Sequence, residues 1–444
     1  MISQDPDTIN SQERMIRLLG VLCFLVGMSL TYRHTRISDF PVDAAVYQEG
    51  ARAFLHGTPL YTQLMHVGNL HLPFIYPPFG ALFLTPLLLF GMGADAAGNV
   101  IAVVSSIILA FCCYFAARAI TPHHRLSTQL ALGGAFWTLG LLMEPVWLND
   151  SFGQINVIIM GLVVLDLVPR RRWLPQGWLI GVAAAIKISP LAMLLYFLLR
   201  KEWKPIVTAV CSGAIATLLA TVLRFSVTRE YIEVLFGMGA SGDVGVDPSY
   251  TSNSSLKAMV MRWFPSKAVL ESDSGNLVLN IIWIVLVILT IAAGAILMHK
   301  LIHRGWNTDA WQVNAVVMLL ISPISWSHHW VWLTLILPVS AHHIVRHRSH
   351  HIPLAVVTVV WLLCVLTNPP KWWFGDGIDA VALGWFPTVL VSDFVWLGLA
   401  WIASLFWLLR GQPEHYAQPE HRIEHDEDPA ASPAERHPVR GAAS

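Results

Sequence analysis

The chain has 444 residues, 55% of them hydrophobic and only 13% charged, and its mean hydropathy is +0.57. Soluble domains carry roughly 25% charged residues, so the composition excludes an ordinary soluble domain and points to a polytopic membrane protein. The formal net charge of zero argues against a nucleic-acid partner. Cys23, Cys112, Cys113, Cys211 and Cys364 all lie inside apolar runs and read as buried free thiols, neither a disulfide frame nor a metal site.

In chain order, Arg14 and Arg17 precede the apolar run "LLGVLCFLVGMSL", with no small-residue cleavage site after it. That pattern predicts a retained signal-anchor span. The stretch "SDFPVDAAVYQEGARAFLHGTPLY" (Ser38 to Tyr61) follows and predicts an amphipathic helix lying along the membrane surface, with Asp43 near its N-cap, Gly57 at its stop and Pro59 just beyond. A spanning helix needs about 20 apolar residues. Spans are predicted near 15–31, 97–117, 126–144, 153–168, 205–224, 277–299, 309–323, 328–346, 352–367 and 389–409.

Two apolar stretches fit a straight crossing badly. Phe74–Gly93 is interrupted by Pro77, Pro78 and Pro86, and Gly177–Leu199 carries Lys187 and Pro190 in its middle. The first is predicted to dip into the bilayer and return, the second to form two half-helices that start and end on one side. With that threading most of the 28 Lys and Arg fall on one face, as cytoplasmic loops require. The N-terminus and the polar tail 411–444, expected to be disordered, are then cytoplasmic. A single catalytic membrane domain spans 1–410, with a first outer loop at 32–96 and a long outer loop at 225–276.

Every polar, aromatic-rich loop then gathers on the extracytoplasmic face. Asp43 has two readings of equal weight there: a helix cap, worth about 1 kcal/mol, or a general base held over the membrane surface. Tyr76 in "FIYPPFGALF" is an interfacial anchor or part of a cavity wall. "WLNDSFGQIN" offers Asn149, Asp150, Gln154 and Asn156; Asp150 also reads as a cap, and Asn156 as a packing residue. "SPISWSHHW" places His328 and His329 between Trp326 and Trp330. Neighbouring helical side chains diverge by about 100°, so one histidine, not a metal-binding pair, is expected to face a cavity. Lys371 is the one Lys or Arg of its outer loop and suits a phosphate. Lys187 is the costliest residue, since a charge at mid-bilayer costs about 2.5–3.5 kcal/mol on insertion scales. Its ordinary reading is snorkelling to the inner headgroups.

Taken together, "DAAVY…G…LY…FIYPPFGALFLTPL", "GQINVIIMGLVVLDL", "GVAAAIKISPLAMLLYFLLRKEW" and "LISPISWSHHW" resemble glycosyltransferase family eighty-seven of the GT-C superfamily. The likeness runs from about Leu18 to Leu409. It implies an all-α GT-C fold of about ten to twelve transmembrane segments with juxtamembrane helices in the first outer loop. It further implies an inverting α-1,2-mannosyltransferase of the plasma membrane, in a step of phosphatidylinositol mannoside synthesis. The donor implied is a β-linked polyprenyl-phosphate-mannose and the acceptor a lipid-anchored mannoside. No cofactor, metal, nucleotide sugar or obligate protein partner is expected. Asp39 and Asp43 are four apart, so a paired-carboxylate metal site is not expected either. Asp43 is carried over as the catalytic base, with Tyr47, Tyr76, Asn149, Asp150, Gln154, Trp326, His328, His329 and Lys371 as substrate-binding candidates. Rival readings are an arabinofuranosyltransferase or lipomannan mannosyltransferase of the same family, a secondary transporter or lipid flippase, and a structural partner of a cell-wall complex.

Overall fold

The computed structural model describes residues 6–37, 40–241, 247–347, 350–381 and 383–411. Asp39 and the tail beyond 411 lie outside the described residues. The described chain is almost wholly helical; its one sheet is the antiparallel hairpin Met65–Val67 with Leu70–Leu72. Five helices are long and apolar enough to cross a membrane: Ser11–His34, Ala94–Ile120, Trp203–Leu223, Asp273–His303 and Asp393–Arg410. A sixth candidate is the pair Leu126–Leu141 and Glu144–Phe152, bent by 67° at its break.

The remaining predicted spans are shorter or interrupted, for local reasons. The predicted span 153–168 is the 12-residue helix Asn156–Leu167, because Gly153 takes φ +68 and closes off the helix before it. The predicted span 328–346 opens as a 3-10 turn, Ser327–Trp332, and continues as Leu333–Arg346 around Pro338. At 1.5 Å per residue such pieces cross the hydrocarbon only with their flanking turns. Non-helical backbone at that depth is tolerated where protein covers it or a cavity receives it.

Both irregular segments double back. The dipping segment forms a short helix, Pro78–Phe83, then a 3-10 stretch, Thr85–Gly91, broken at Leu89 and Phe90. Its start and its end meet one helix: Tyr76 touches Tyr47, while Gln48 Nε2 donates to the carbonyls of Leu87 and Met92, each at 2.8 Å. The second segment runs inward as Trp178–Ile186, turns at an extended Lys187 (φ −146°, ψ 124°), and returns through Ser189–Met193 and Leu194–Leu199. It starts and ends at one end of the bundle, since Gly177 lies against Pro205 in the first turn of Trp203–Leu223. Lys187 is therefore at the tip of the excursion. Gly80 of the dipping segment packs on the carbonyl of Ile186 beside that tip, so the two irregular segments meet.

The surface helix is Val42–His56, ended by Gly57 in the left-handed conformation (φ 86°), as its sequence predicts. It rests on the start of Ala94–Ile120, where Gly98 leaves room for Pro41. Glu230, on the helix Phe225–Ser241, accepts from the backbone amides of Leu60 and Tyr61 and ties the first loop to the long outer loop.

Candidate active site

Pro41, with no side-chain capping bond, precedes the first turn of the surface helix, and Asp43 sits within that turn. Asp43 is therefore not the N-cap, and its structural reading becomes that of an acidic residue in the first turn, where the helix dipole favours negative charge. Its half-buried carboxylate accepts from the Gln154 side chain. The orientation of that amide follows from its other partners. Tyr47 donates to Gln154 Oε1 at 2.6 Å, and the Tyr76 hydroxyl is 3.2 Å from the same oxygen and 2.8 Å from Tyr47. With its oxygen occupied by phenols, Gln154 turns its NH2 towards Asp43. Tyr47 is wholly buried, and Tyr76 and Gln154 nearly so.

Burial pushes the Asp43 carboxyl up to about 6, against the opposing pull of the Gln154 hydrogen bond and the Lys187 charge. Taking a carboxylate out of water disfavours its charged form, whereas a nearby cation favours it. The cation is the Lys187 ammonium, which donates to Asn156 Oδ1 at 2.7 Å, lies 3.2 Å from His329 Nε2, and sits 5.6 Å from the centre of the Tyr76 ring. Lys187 thus joins the Asp43 site and does not snorkel to the other end of the bundle. Asn156, read from sequence as packing, holds that ammonium in place.

Lys187, Asn156 and His329 form the polar head of a groove of about 510 Å³. Its remaining walls are largely apolar: Ile159, Val163, Leu191, Ala192, Trp283, Met318 and Leu319 among them, with Ser322 and Ser325 near the mouth. A largely apolar groove that also holds an ammonium and an imidazole matches the two-part chemistry of a lipid phosphate.

The other substrate-binding candidates are distributed differently from expectation. His329 lines the groove, whereas His328 is buried, turned onto Phe152 at 5.4 Å between ring centres, with neither ring nitrogen hydrogen-bonded. The two rings meet edge to face, their centres 4.9 Å apart. Asp150 is not open to a sugar: His34 Nδ1 donates to its Oδ2 at 2.7 Å, a buried pair fastening the first helix to Glu144–Phe152. Asn149, wholly buried, donates to Asp150 Oδ1 and to the Gln154 carbonyl, so it braces Gln154 from behind. Trp326 stacks edge-on against Tyr250 and pairs its backbone with Asn253.

Lys371 corrects the expectation of a cation over an outer cavity. Its side chain is completely buried, 3.2 Å from Asp393 Oδ1, and donates to Ser254 and Ser327. Glu144 completes the cluster by accepting from Ser327 at 2.7 Å and from Trp372 at 2.9 Å. Removing one partner of such a buried pair costs about 3–5 kcal/mol because the other charge is left uncompensated. Lys371 locks the outer loops together and anchors Ser327, next to the histidine pair.

The fold and site together define a multi-pass membrane protein with a carboxylate–amide–phenol cluster beside a cationic head and an apolar groove. Residues 74–323 match the description of glycosyltransferase family 87. A Mycobacterium tuberculosis polyprenol-phosphate-mannose-dependent alpha-(1-2)-phosphatidylinositol mannoside mannosyltransferase is 30% identical over 394 residues, covering 86% of this chain and 88% of the relative. A Mycolicibacterium smegmatis polyprenol-phosphate-mannose-dependent alpha-(1-2)-phosphatidylinositol pentamannoside mannosyltransferase is 30% identical over 418 residues, covering 89% and 91%. The crystal structure of ArnT from Cupriavidus metallidurans bound to undecaprenyl phosphate superposes with a TM-score of 0.40 at 17% identity, over 88% of this chain and 77% of that one. The chain belongs to glycosyltransferase family 87 and is a glycosyltransferase.

Proposed function

We propose that the protein transfers mannose from a polyprenyl-phosphate-mannose donor to the 2-hydroxyl of a lipid-anchored mannoside, with inversion to an α-1,2 linkage, at the extracytoplasmic surface of the plasma membrane. The observation that carries this reading is that Asp43 lies within reach of the charge of Lys187, which lines the apolar groove together with His329. The polyprenyl chain lies in the groove and its phosphate at the Lys187–His329 end. Asp43 accepts the proton of the acceptor hydroxyl as its oxygen attacks the anomeric carbon. The bond from that carbon to the phosphate oxygen breaks as the new one forms, and the leaving phosphate takes up negative charge. Lys187, held by Asn156 and in contact with His329, meets that charge without reorganisation. Gln154 holds the carboxylate in aim, and Tyr47 and Tyr76 fix Gln154.

The names of the relatives support mannose as the sugar and a phosphatidylinositol mannoside as the acceptor. Within that class we assign the step from tetramannoside to pentamannoside.

The test is purified full-length protein with polyprenyl-phosphate-mannose and phosphatidylinositol mannosides of graded length, with products resolved by mass and linkage. A new α-1,2-mannose on the tetramannoside, abolished in Asp43→Asn, is the expected result. Transfer from decaprenyl-phosphoarabinose but not from the mannose donor overturns the sugar assignment. Full turnover by a folded Asp43→Asn protein overturns the mechanism.

A further inference from the structure

The Asp43 site occupies one end of the bundle; a second pair of cavities occupies the other. The helix Ala94–Ile120 starts against the surface helix and finishes at Ile120. Around that finish lie the ends of Asn156–Leu167, Leu194–Leu199 and Leu333–Arg346 and the start of Asn307–Ile321. They enclose two adjoining cavities of about 480 and 590 Å³, which share Ala119, Pro122, Gly305, Asn307 and Thr308.

Their charge is one-sided. The smaller cavity is lined by Arg304, Arg346 and five histidines, His123, His124, His342, His343 and His347, against one carboxylate, Asp309. That carboxylate is already taken, accepting from His343 Nε2 at 2.8 Å. The larger is lined by Arg118, Arg172 and Arg200 against Glu202, which is ion-paired to Arg200 at 2.9 Å. Arg118 and Arg346 have no hydrogen-bond or ion-pair partner among the described residues, and the buried Arg172 Nε likewise has none. Trp306 stacks on His343 at 4.3 Å and on His347 at 5.2 Å, keeping two of the imidazoles in one stack. Basic groups outnumber carboxylates here, and Arg118 and Arg346 are left without a carboxylate partner among the described residues.

A solvated basic face, the ordinary outcome of the positive-inside bias, has no enclosing wall. These cavities are recessed between helix ends, and Phe115, Leu167 and Trp311 line the larger one together with its arginines. Cations at span ends, with apolar side chains in the same lining, match the phosphate and adjoining chains of a phospholipid. We propose that this double cavity binds the phosphate groups of an anionic phospholipid, in the leaflet opposite the Asp43 site. The proposal rests on the cavities alone and is independent of the sugar or acceptor assigned above.

The test is native mass spectrometry of the full-length protein in detergent, mixed with cardiolipin, phosphatidylglycerol or phosphatidylcholine, and separately with inorganic pyrophosphate. Cardiolipin should be retained over phosphatidylcholine by about tenfold or more, given roughly 1 kcal/mol per basic residue at an anionic surface. Arg118→Gln/Arg346→Gln should abolish most of that preference, while Arg36→Gln, at the opposite end, should leave it intact. If the arginine pair prevents purification, His123→Gln/His124→Gln on the exposed turn should weaken retention severalfold. Pyrophosphate that binds and displaces cardiolipin upholds the phosphate site and assigns it to a soluble ligand; pyrophosphate that does neither assigns it to the lipid. Equal retention of cardiolipin and phosphatidylcholine without pyrophosphate binding, or a preference unchanged in the arginine double variant, overturns the proposal.

Discussion

At Asp43 the catalytic and stability requirements have opposite signs. The native carboxyl is pushed up to about 6, chiefly by burial, so a base mechanism needs pH above that value. A polyprenyl-phosphate-sugar is a phosphodiester with no proton to lose near neutrality. The acid limb of kcat/KM therefore belongs to the protein, and we expect it to rise with unit slope through about pH 6. Asp43→Asn should lower turnover by about 10²–10⁴-fold, the usual worth of a positioned base, and remove that limb. For stability, the folded state holds this proton more tightly than the unfolded chain. Ionising it therefore costs stability progressively from the ordinary carboxylate range up to about pH 6. Asp43→Asn should consequently melt no lower than wild type at neutral pH while being far less active, as a thermal unfolding curve beside an assay will show. Lys187 offers an independent check. Its charge lowers the Asp43 value, so Lys187→Gln should move the acid limb to higher pH as well as slow turnover. An acid limb that stays in place in Lys187→Gln would separate the two residues.

At the scale of elements, the site depends on segments that enter and leave on one side. The reversal at Lys187 brings the start of the inward leg back against the helix that follows the return leg. Gly177 has φ +96°, and a Cβ there would lie 1.9 Å from the Pro205 carbonyl oxygen. Gly177→Ala should destabilise by about 1–3 kcal/mol, the range for overpacking a tight contact. Gly134→Ala, inside the helix Leu126–Leu141 with only ordinary van der Waals contacts around the added Cβ, should be neutral or mildly stabilising in the same melting experiment. The groove makes a second demand. Ala192 lies on its wall in the 3-10 stretch Ser189–Met193, so Ala192→Trp should fill part of the channel while leaving Asp43 untouched. We expect KM for a long-chain donor to rise about tenfold, with little change for a short-chain donor, because only the long chain loses buried area. An equal rise for both donors would mean that the isoprenoid lies elsewhere.

At the scale of the whole molecule, sequence reasoning succeeded where the cause is local. Pro77, Pro78 and Pro86 announce the dip, Lys187 and Pro190 the reversal, and Gly57 the end of the surface helix, because each acts on its own backbone. It failed where the cause is a distant partner. Lys187 is placed by Asn156 and His329, 31 and 142 positions away, and Lys371 is buried by Asp393 and Ser254, 22 and 117 positions away. A lone cation in an outer loop and a lone cation in a span carry no mark in the sequence of which one will be covered. The hairpin Met65–Leu72 turns at Gly68, φ +59°, a signal present in "HVGNLHL" but hidden beside the stronger apolar pattern.

The two ends of the bundle differ in charge, and that difference bears on its orientation. The Asp43 end carries the hairpin, the surface helix and the long loop, whereas the other end carries the arginine- and histidine-lined cavities. Cytoplasmic loops collect Lys and Arg, so we infer that the Asp43 end is extracytoplasmic. In a cysteine-free background, a single cysteine at His71, exposed on the hairpin, should react with a membrane-impermeant maleimide in intact cells. One at Arg171, exposed at the opposite end, should react only after permeabilisation. The reverse pattern would put Asp43 in the cytoplasm, where a polyprenyl donor facing outward could not reach it, and would overturn the proposed reaction together with the orientation.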